Sequence, residues 1–211
     1  MTDASRLDTL LAAAEEEFDP YAERILEAAR REFLEHGLRR TSLDDIARAA
    51  DVSRATLFRR FADRDTLVRA LAAREAQGLI AVVDAKAAGI EDPEERIVAG
   101  FLAAMSEIPR HDLLQRLLVT DRDAVMPLLT QRGSAVLAVG RAYLAAQVRR
   151  ARDDGLPVAG DPDQIGEICA RIALSLALNP DTVLPLDDDA GLERFARTVI
   201  VPLIVGREGA R

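Results

Sequence analysis

Apolar residues recur at helical spacing along nearly the whole chain, and strand-like alternation is missing. Tyr21, Ile25, Ala28, Ala29 and Phe33 form one face of a helix that opens at Asp19-Pro20, a capping residue followed by proline at the first helical position. Gly37 closes it, and Leu38 stands where a Schellman motif would fold it back onto Phe33. A second, shorter stripe is Leu43, Ile46, Ala47 and Ala50, opened by Ser42 with Asp45 three residues on, the spacing of a capping box. Ala50-Asp51-Val52 is too short and polar for anything but a turn. Ser53 then caps a third helix whose inward residues are Leu57 and Phe61. Asp63 caps a fourth, expected to run to about Ala88 despite Gly78.

The remaining pattern is also helical. Asp92-Pro93 starts a helix carrying Ile97, Phe101, Leu102, Met105 and Ile108. His111 to about Thr120 carries Leu113, Leu114, Leu117 and Leu118, and Pro127 is expected to break the segment that follows. A long helix is expected from about Gln131 to Asp153, with Gly155 closing it. Asp161-Pro162 opens a helix with Ile165, Ile168, Cys169, Ile172 and Leu176 on one side and Leu174 and Leu178 on another, stopped by Asn179-Pro180. The last helix carries Leu192, Phe195, Ala196, Val199, Ile200 and Leu203. Apolar residues on more than one face imply burial from two directions, the core and, most simply, a partner subunit. Residues 5–18 read either as an extra helix (Leu7, Leu10, Leu11, Ala14, Phe18) or as a frayed tail. The fold class is all-α.

The third helix is unlike the others. Leu57 and Phe61 point one way; Ala55, Thr56 and Arg59 point roughly opposite, and Arg54, Arg59 and Arg60 have no acid beside them between Ser53 and Phe61. Helix, tight turn, helix is the arrangement that sets its second helix into a DNA major groove. Arg can bond guanine with two hydrogen bonds, and Ala or Thr methyl groups can touch the thymine methyl. Charge sharpens this picture. The chain carries a net charge of −8, yet residues 39–64 hold seven Arg against four Asp. A basic island on an acidic body suits a protein that touches DNA with one surface.

At these residues the chain resembles the N-terminal domain of TetR-family transcriptional regulators, through Thr41-Ser42, Ile46-Ala47, Ala50 to Phe58 and Phe61-Ala62-Asp63-Arg64-Asp65-Thr66-Leu67. The likeness covers about Asp19 to Ala76. It implies three parts: an N-terminal tail or extra helix (1–18), a helix-turn-helix DNA-binding domain (19–76) and a helical ligand-binding and dimerisation domain (77–211), joined by a continuous helix that can act as a lever. It also implies a ligand-responsive repressor that binds a near-palindromic operator as a homodimer. Ala55, Thr56 and Arg59, with Arg54 at the edge, are then the base readers, and Thr41, Ser53, Arg60 and Arg64 the phosphate holders. Two positions depart from the family's pattern. Asp51 stands in the turn where Gly is usual, and Asp tolerates the left-handed conformation better than most residues. Phe58 stands where a Tyr commonly donates to a phosphate, so that bond is lost.

Candidate chemistry beyond DNA reading is sparse. The single cysteine, Cys169, permits no intramolecular disulfide. With two histidines in separate segments, metal-ligand spacing is absent, and neither a phosphate loop nor a nucleophile elbow occurs. The expectation is therefore a cytoplasmic regulator without cofactor, metal or catalytic residues. Phe101, Met105, Leu118, Met126, Tyr143 and Ile172 are candidate walls of a ligand pocket, with His111, Gln115 and Gln147 as polar anchors. Only three aromatic residues follow residue 79, so an aliphatic or small effector is expected. Ile165, Leu174, Leu178, Leu192, Phe195, Val199 and Leu203 are the candidate dimer interface. The competing reading is a helical protein-interaction module without specific DNA binding, which the basic island and the Ala-Thr-Arg face argue against.

Overall fold

The computed structural model describes residues 20–130, 134–179 and 181–205. The segment 5–18, the expected cap Asp19, the expected helix start near Gln131 and the stop at Pro180 lie outside the described residues. Regular structure in the described residues is helical, apart from one isolated bridge between Val158 and Val205. In chain order the helices are α1 (Pro20–His36), α2 (Leu43–Ala49), α3 (Arg54–Arg60), α4 (Arg64–Ala87), α5 (Pro93–Glu107), α6 (Asp112–Thr120), α7 (Arg122–Thr130), α8 (Ala135–Asp153), α9 (Pro162–Leu178), α10 (Asp189–Phe195) and α11 (Val201–Ile204). A 3-10 turn at Ile108–Arg110 precedes α6, and a π-helical turn at Ala196–Ile200 joins α10 to α11.

Two compact units share the chain: Met1–Ala76 with His111–Val139, and Gln77–Arg110 with Gly140–Arg211. The first unit is built around α1, which buries Ala22, Ile25, Leu26, Ala28, Ala29 and Phe33 and packs on α2, α3 and α6. The largest fully buried side chains (Phe33, Ile25, Leu26, Ile46, Leu57 and Leu67) all belong to this unit. Full burial of such a side chain stabilises by about 1.5–3 kcal/mol, so a small domain can hold its geometry. Tyr21, expected on the buried face, is 49% exposed; Ala22 and Leu26 carry the stripe instead. Gly37 has φ +84° and its N–H donates to the Phe33 carbonyl at 3.0 Å, so α1 ends in the simpler left-handed cap rather than a Schellman motif. Pro127 does not break its segment: α7 runs through it, at the cost of the one hydrogen bond a proline cannot make.

In the second unit Val148, Ile165, Cys169, Phe195, Ile200 and Ile204 form one core cluster, with the Phe101 and Phe195 rings 5.6 Å apart. Helices α8 and α9 meet where a Cβ on Gly166 would lie 2.6 Å from the Ala145 backbone nitrogen, so only glycine fits. Arg197 forks onto Glu95 with two bonds of 2.8 Å and reaches Glu193 at 2.9 Å, tying the chain's end to α5. The π turn has a local cause. Pro202 cannot donate to the carbonyl four residues back and its ring would clash with it. The helix widens so that the Val201 N–H donates to Ala196.

Candidate nucleic-acid interface and ligand cavity

The pair α2 and α3 is held by local bonds that its sequence encodes. The capping box at α2 is complete: the Asp45 N–H donates to Ser42 Oγ at 3.2 Å and the Ser42 N–H donates to Asp45 Oδ2 at 3.0 Å. Bonds from the Ser42 hydroxyl and amide and from Arg48 hold the Asp45 carboxyl below the usual carboxylate range. Asp51 adopts φ +52°, the left-handed conformation expected of it. Ser53 caps α3 by accepting from the Thr56 N–H at 3.1 Å.

Two arginines of α1 complete this frame, and the hydrophobic pattern did not reveal them. Arg24 Nη2 donates to the Ala50 and Asp51 carbonyls at 2.7 and 3.1 Å, and Arg31 Nη2 donates to the Ala49 carbonyl at 3.3 Å. These carbonyls are the ones a helix end leaves without intrahelical partners. The only sequence signal for the pair is their seven-residue spacing, which sets both on one face of α1.

Helix α3 buries Leu57 completely and exposes Arg54, Ala55, Phe58, Arg59 and Arg60, with Thr56 half-buried. Arg54 is pre-set: it donates to Asp44 at 3.0 Å and lies over the Phe58 ring, 5.4 Å from its centre. Phe58 thus supports an arginine where the family's Tyr would address a phosphate. Arg59 makes no hydrogen bond or ion pair among the described residues. The same holds for the exposed Arg40, one residue before Thr41, which sequence reasoning missed.

Two expected phosphate holders have other partners. Thr41 is buried, 3% exposed, and its hydroxyl donates to the Gly37 carbonyl at 2.9 Å and the Glu32 carbonyl at 3.3 Å. Arg64 donates to the carbonyls of Leu38 and Thr41 and lies over the Phe33 ring, so its charge clamps the α1–α2 loop to the start of α4. Ser53, Arg54, Ala55, Thr56, Phe58, Arg59 and Arg60 do share one exposed stretch.

The second unit encloses a cavity of about 340 Å³. Phe101, Met105, Tyr143, Gln147 and Ile172 line it, together with Leu79, Ile80 and Val83 from α4, Ile97 from α5, Leu144 from α8, and Ile200 and Ile204 from the chain's end. Its walls are overwhelmingly aliphatic. The polar lining residues are Asp84, Arg96, Tyr143, Gln147 and Arg150, and the Tyr143 hydroxyl and the Gln147 amide donate to one Asp84 oxygen at 3.0 and 3.2 Å. Burial first, then donation to Asp84, pushes the Tyr143 hydroxyl pKa well above its ordinary value. Cys169 also faces the cavity, and burial pushes its thiol up to about 11, so it stays protonated near neutral pH.

Four expected pocket residues do not line this cavity. His111, Gln115, Leu118 and Met126 belong to the first unit. His111 Nδ1 caps α6 by accepting the Leu114 N–H at 3.3 Å, and its Nε2 lies 3.4 Å from Glu75. The expected interface divides similarly. Ile165, Leu192 and Phe195 are buried in the chain's own core, whereas Val199 is 42% exposed and Leu174, Leu178 and Leu203 are half-buried. Ile168, 45% exposed on α9, joins the outward set.

Residues 25–71 match the family model for bacterial regulatory proteins of the tetR family. The chain is 30% identical over 123 residues to an uncharacterized HTH-type transcriptional regulator of Mycobacterium tuberculosis (strain ATCC 25618 / H37Rv), a match covering 58% of this chain and 61% of that protein. It thus spans less than two thirds of that relative's length. Two solved structures share the fold. One is AlkX, a TetR family repressor from Dietzia sp. strain DQ12-45-1b implicated in biodegradation of n-alkanes, with TM-score 0.66 and 19% identity over 87% of this chain and 98% of that one. The other is Thermus thermophilus FadR, a TetR family transcriptional repressor in complex with lauroyl-CoA, with TM-score 0.59 and 23% identity over 90% of this chain and 98% of that one.

Proposed function

We propose that this chain, a member of the TetR family of transcriptional regulators, binds a near-palindromic DNA operator as a homodimer and leaves it when an aliphatic effector fills its cavity. The observation that carries the DNA-reading half is α3: a short helix, capped and braced from behind, presenting Ala55 and an unpaired Arg59 outward beside Thr56. Arg59 and Arg54 read guanine edges, and Ala55 and Thr56 meet thymine methyls. Ser53, Arg60 and Arg40 hold phosphates, fixing register without reading sequence. Two heads on successive major grooves sit ~34–36 Å apart.

The effector half rests on the cavity's mainly apolar walls, set beside a few polar groups: Asp84, Tyr143 and Gln147, with Arg96 and Arg150. AlkX is implicated in biodegradation of n-alkanes and FadR is solved in complex with lauroyl-CoA, which supports an aliphatic effector. Helix α4 carries both Leu67 of the reading domain's core and Leu79, Ile80 and Val83 of the cavity wall, so filling the cavity biases the head through one continuous helix. An effector that binds better to the conformation with the wrong head spacing shifts the population off DNA. Dimerisation uses the outward Ile168 and Val199 with Leu174, Leu178 and Leu203.

Selection of bound sequences from a random DNA library with the purified protein tests this function. The expected result is an inverted repeat whose enrichment fades steeply as salt rises. A folded protein that enriches no sequence, and binds DNA equally at low and high salt, would contradict it.

A further inference from the structure

We propose that Asp121, at the α6–α7 junction, is a positioning residue for DNA reading, and that the α6–α7 hairpin it closes is a working part of the reading head. Asp121 is a buried carboxylate, 6% exposed, about eighty residues from the loop it serves. Its Oδ2 accepts the Leu38 N–H at 3.2 Å and its Oδ1 accepts the Arg39 N–H at 3.1 Å, while the Thr120 hydroxyl donates to Oδ2 at 2.9 Å. The approach is so close that a Cβ on Gly37, already at φ +84°, would lie 2.6 Å from Oδ2. Burial raises the Asp121 carboxyl's affinity for a proton, but these three bonds outweigh it, so the group remains an anion aimed at two backbone amides.

What the carboxylate holds is the segment on which both neighbours of α3 depend. Leu38 and Thr41 offer their carbonyls to Arg64, the first residue of α4, and Ser42 follows immediately as the cap of α2. The order of support is therefore Asp121, the Leu38 and Arg39 amides, the Leu38 and Thr41 carbonyls, and then Arg64 and α2. Other ties bind the same hairpin to the head: Arg30 reaches Asp112 at 2.5 Å, and Arg39 reaches Asp123 at 3.4 Å. An apolar residue at 121 would leave the buried Leu38 amide and the part-buried Arg39 amide without their acceptor, which costs more than the contact itself.

This inference rests on the DNA-reading function above, and its test separates the two. Full-length Asp121→Ala and Asp121→Asn are compared with wild type for affinity to the selected operator and to scrambled DNA at matched salt, with hydrogen exchange read at the Leu38 and Arg39 amides. Asp121→Ala is expected to lose about tenfold or more in operator affinity, to bind scrambled DNA as wild type does, and to exchange faster at those two amides. Asp121→Asn keeps one acceptor oxygen and falls between. An unchanged ratio of operator to scrambled affinity overturns the proposal, as does an equal loss of both. If Asp121→Ala does not fold, Asp121→Asn decides by the same ratio. A wild-type protein that selects no operator overturns the DNA-reading function and this proposal together.

Discussion

Helix α3 and the cavity of the second unit reach a binding surface by opposite routes. On α3 the outward groups come from one seven-residue helix and include three arginines, and the work of the fold is to hold that helix still with caps and with arginines bonded to carbonyls. The cavity is lined mainly by apolar side chains, with Asp84, Arg96 and Arg150 as its charged groups, and takes its walls from α4, α5, α8, α9 and the Ile200 and Ile204 side chains. A polar reading surface tolerates side-chain changes without loss of stability, because its members touch little. An apolar cavity tolerates them only where space has been left.

The sharpest break of that contrast is at a glycine. Gly166→Leu drives a side chain into the Ala145 backbone and should destabilise the protein by about 3 kcal/mol, measured by urea unfolding. A loss under about 0.5 kcal/mol would mean that α8 and α9 do not approach as closely as Gly166 and Ala145 imply. Arg59→Ala should leave stability unchanged while removing ~1–3 kcal/mol of operator discrimination, read from competition with scrambled DNA. Cys169 gives a pH signature confined to the cavity unit. Its folded thiol is pushed up to about 11, above the unfolded value, so the unfolded state releases its proton first and stability falls as pH rises toward that value. The slope should approach about 1.4 kcal/mol per pH unit, and Cys169→Ala should abolish that part of it. Gly100→Leu is the mirror of Gly166→Leu. Its Cβ meets nothing within 4 Å and it lines the cavity, so stability should change by less than about 0.5 kcal/mol while the effector response is lost. The smallest effect is expected at the exposed pair of Arg54 and Asp44, where Asp44→Asn should alter stability by less than ~0.5 kcal/mol in thermal melts.

The same contrast explains which residues could be read from the chain. Ser42 with Asp45, Asp51 and Ser53 act within a few residues of themselves, so their capping and turn chemistry is written locally. The bonds that Arg64 and Thr41 make to the carbonyls of Leu38, Gly37 and Glu32 are not written locally, because those groups come together only after α1 turns back on itself. His111 and Gln115 share the inward pattern of Tyr143 and Gln147, yet belong to a different unit, and helical periodicity cannot distinguish two cores. Ile165, Leu192 and Phe195 carry the same ambiguity: an apolar face predicts burial without saying whether the chain or a partner supplies it.

The most direct test of the account repeats the random-library selection with wild type and Arg59→Ala side by side. If α3 reads bases as described, the mutant should keep the inverted repeat and its half-site spacing but lose preference at one base pair in each half. An identical motif from both proteins would contradict it, since Arg59 would then contribute nothing that distinguishes one sequence from another.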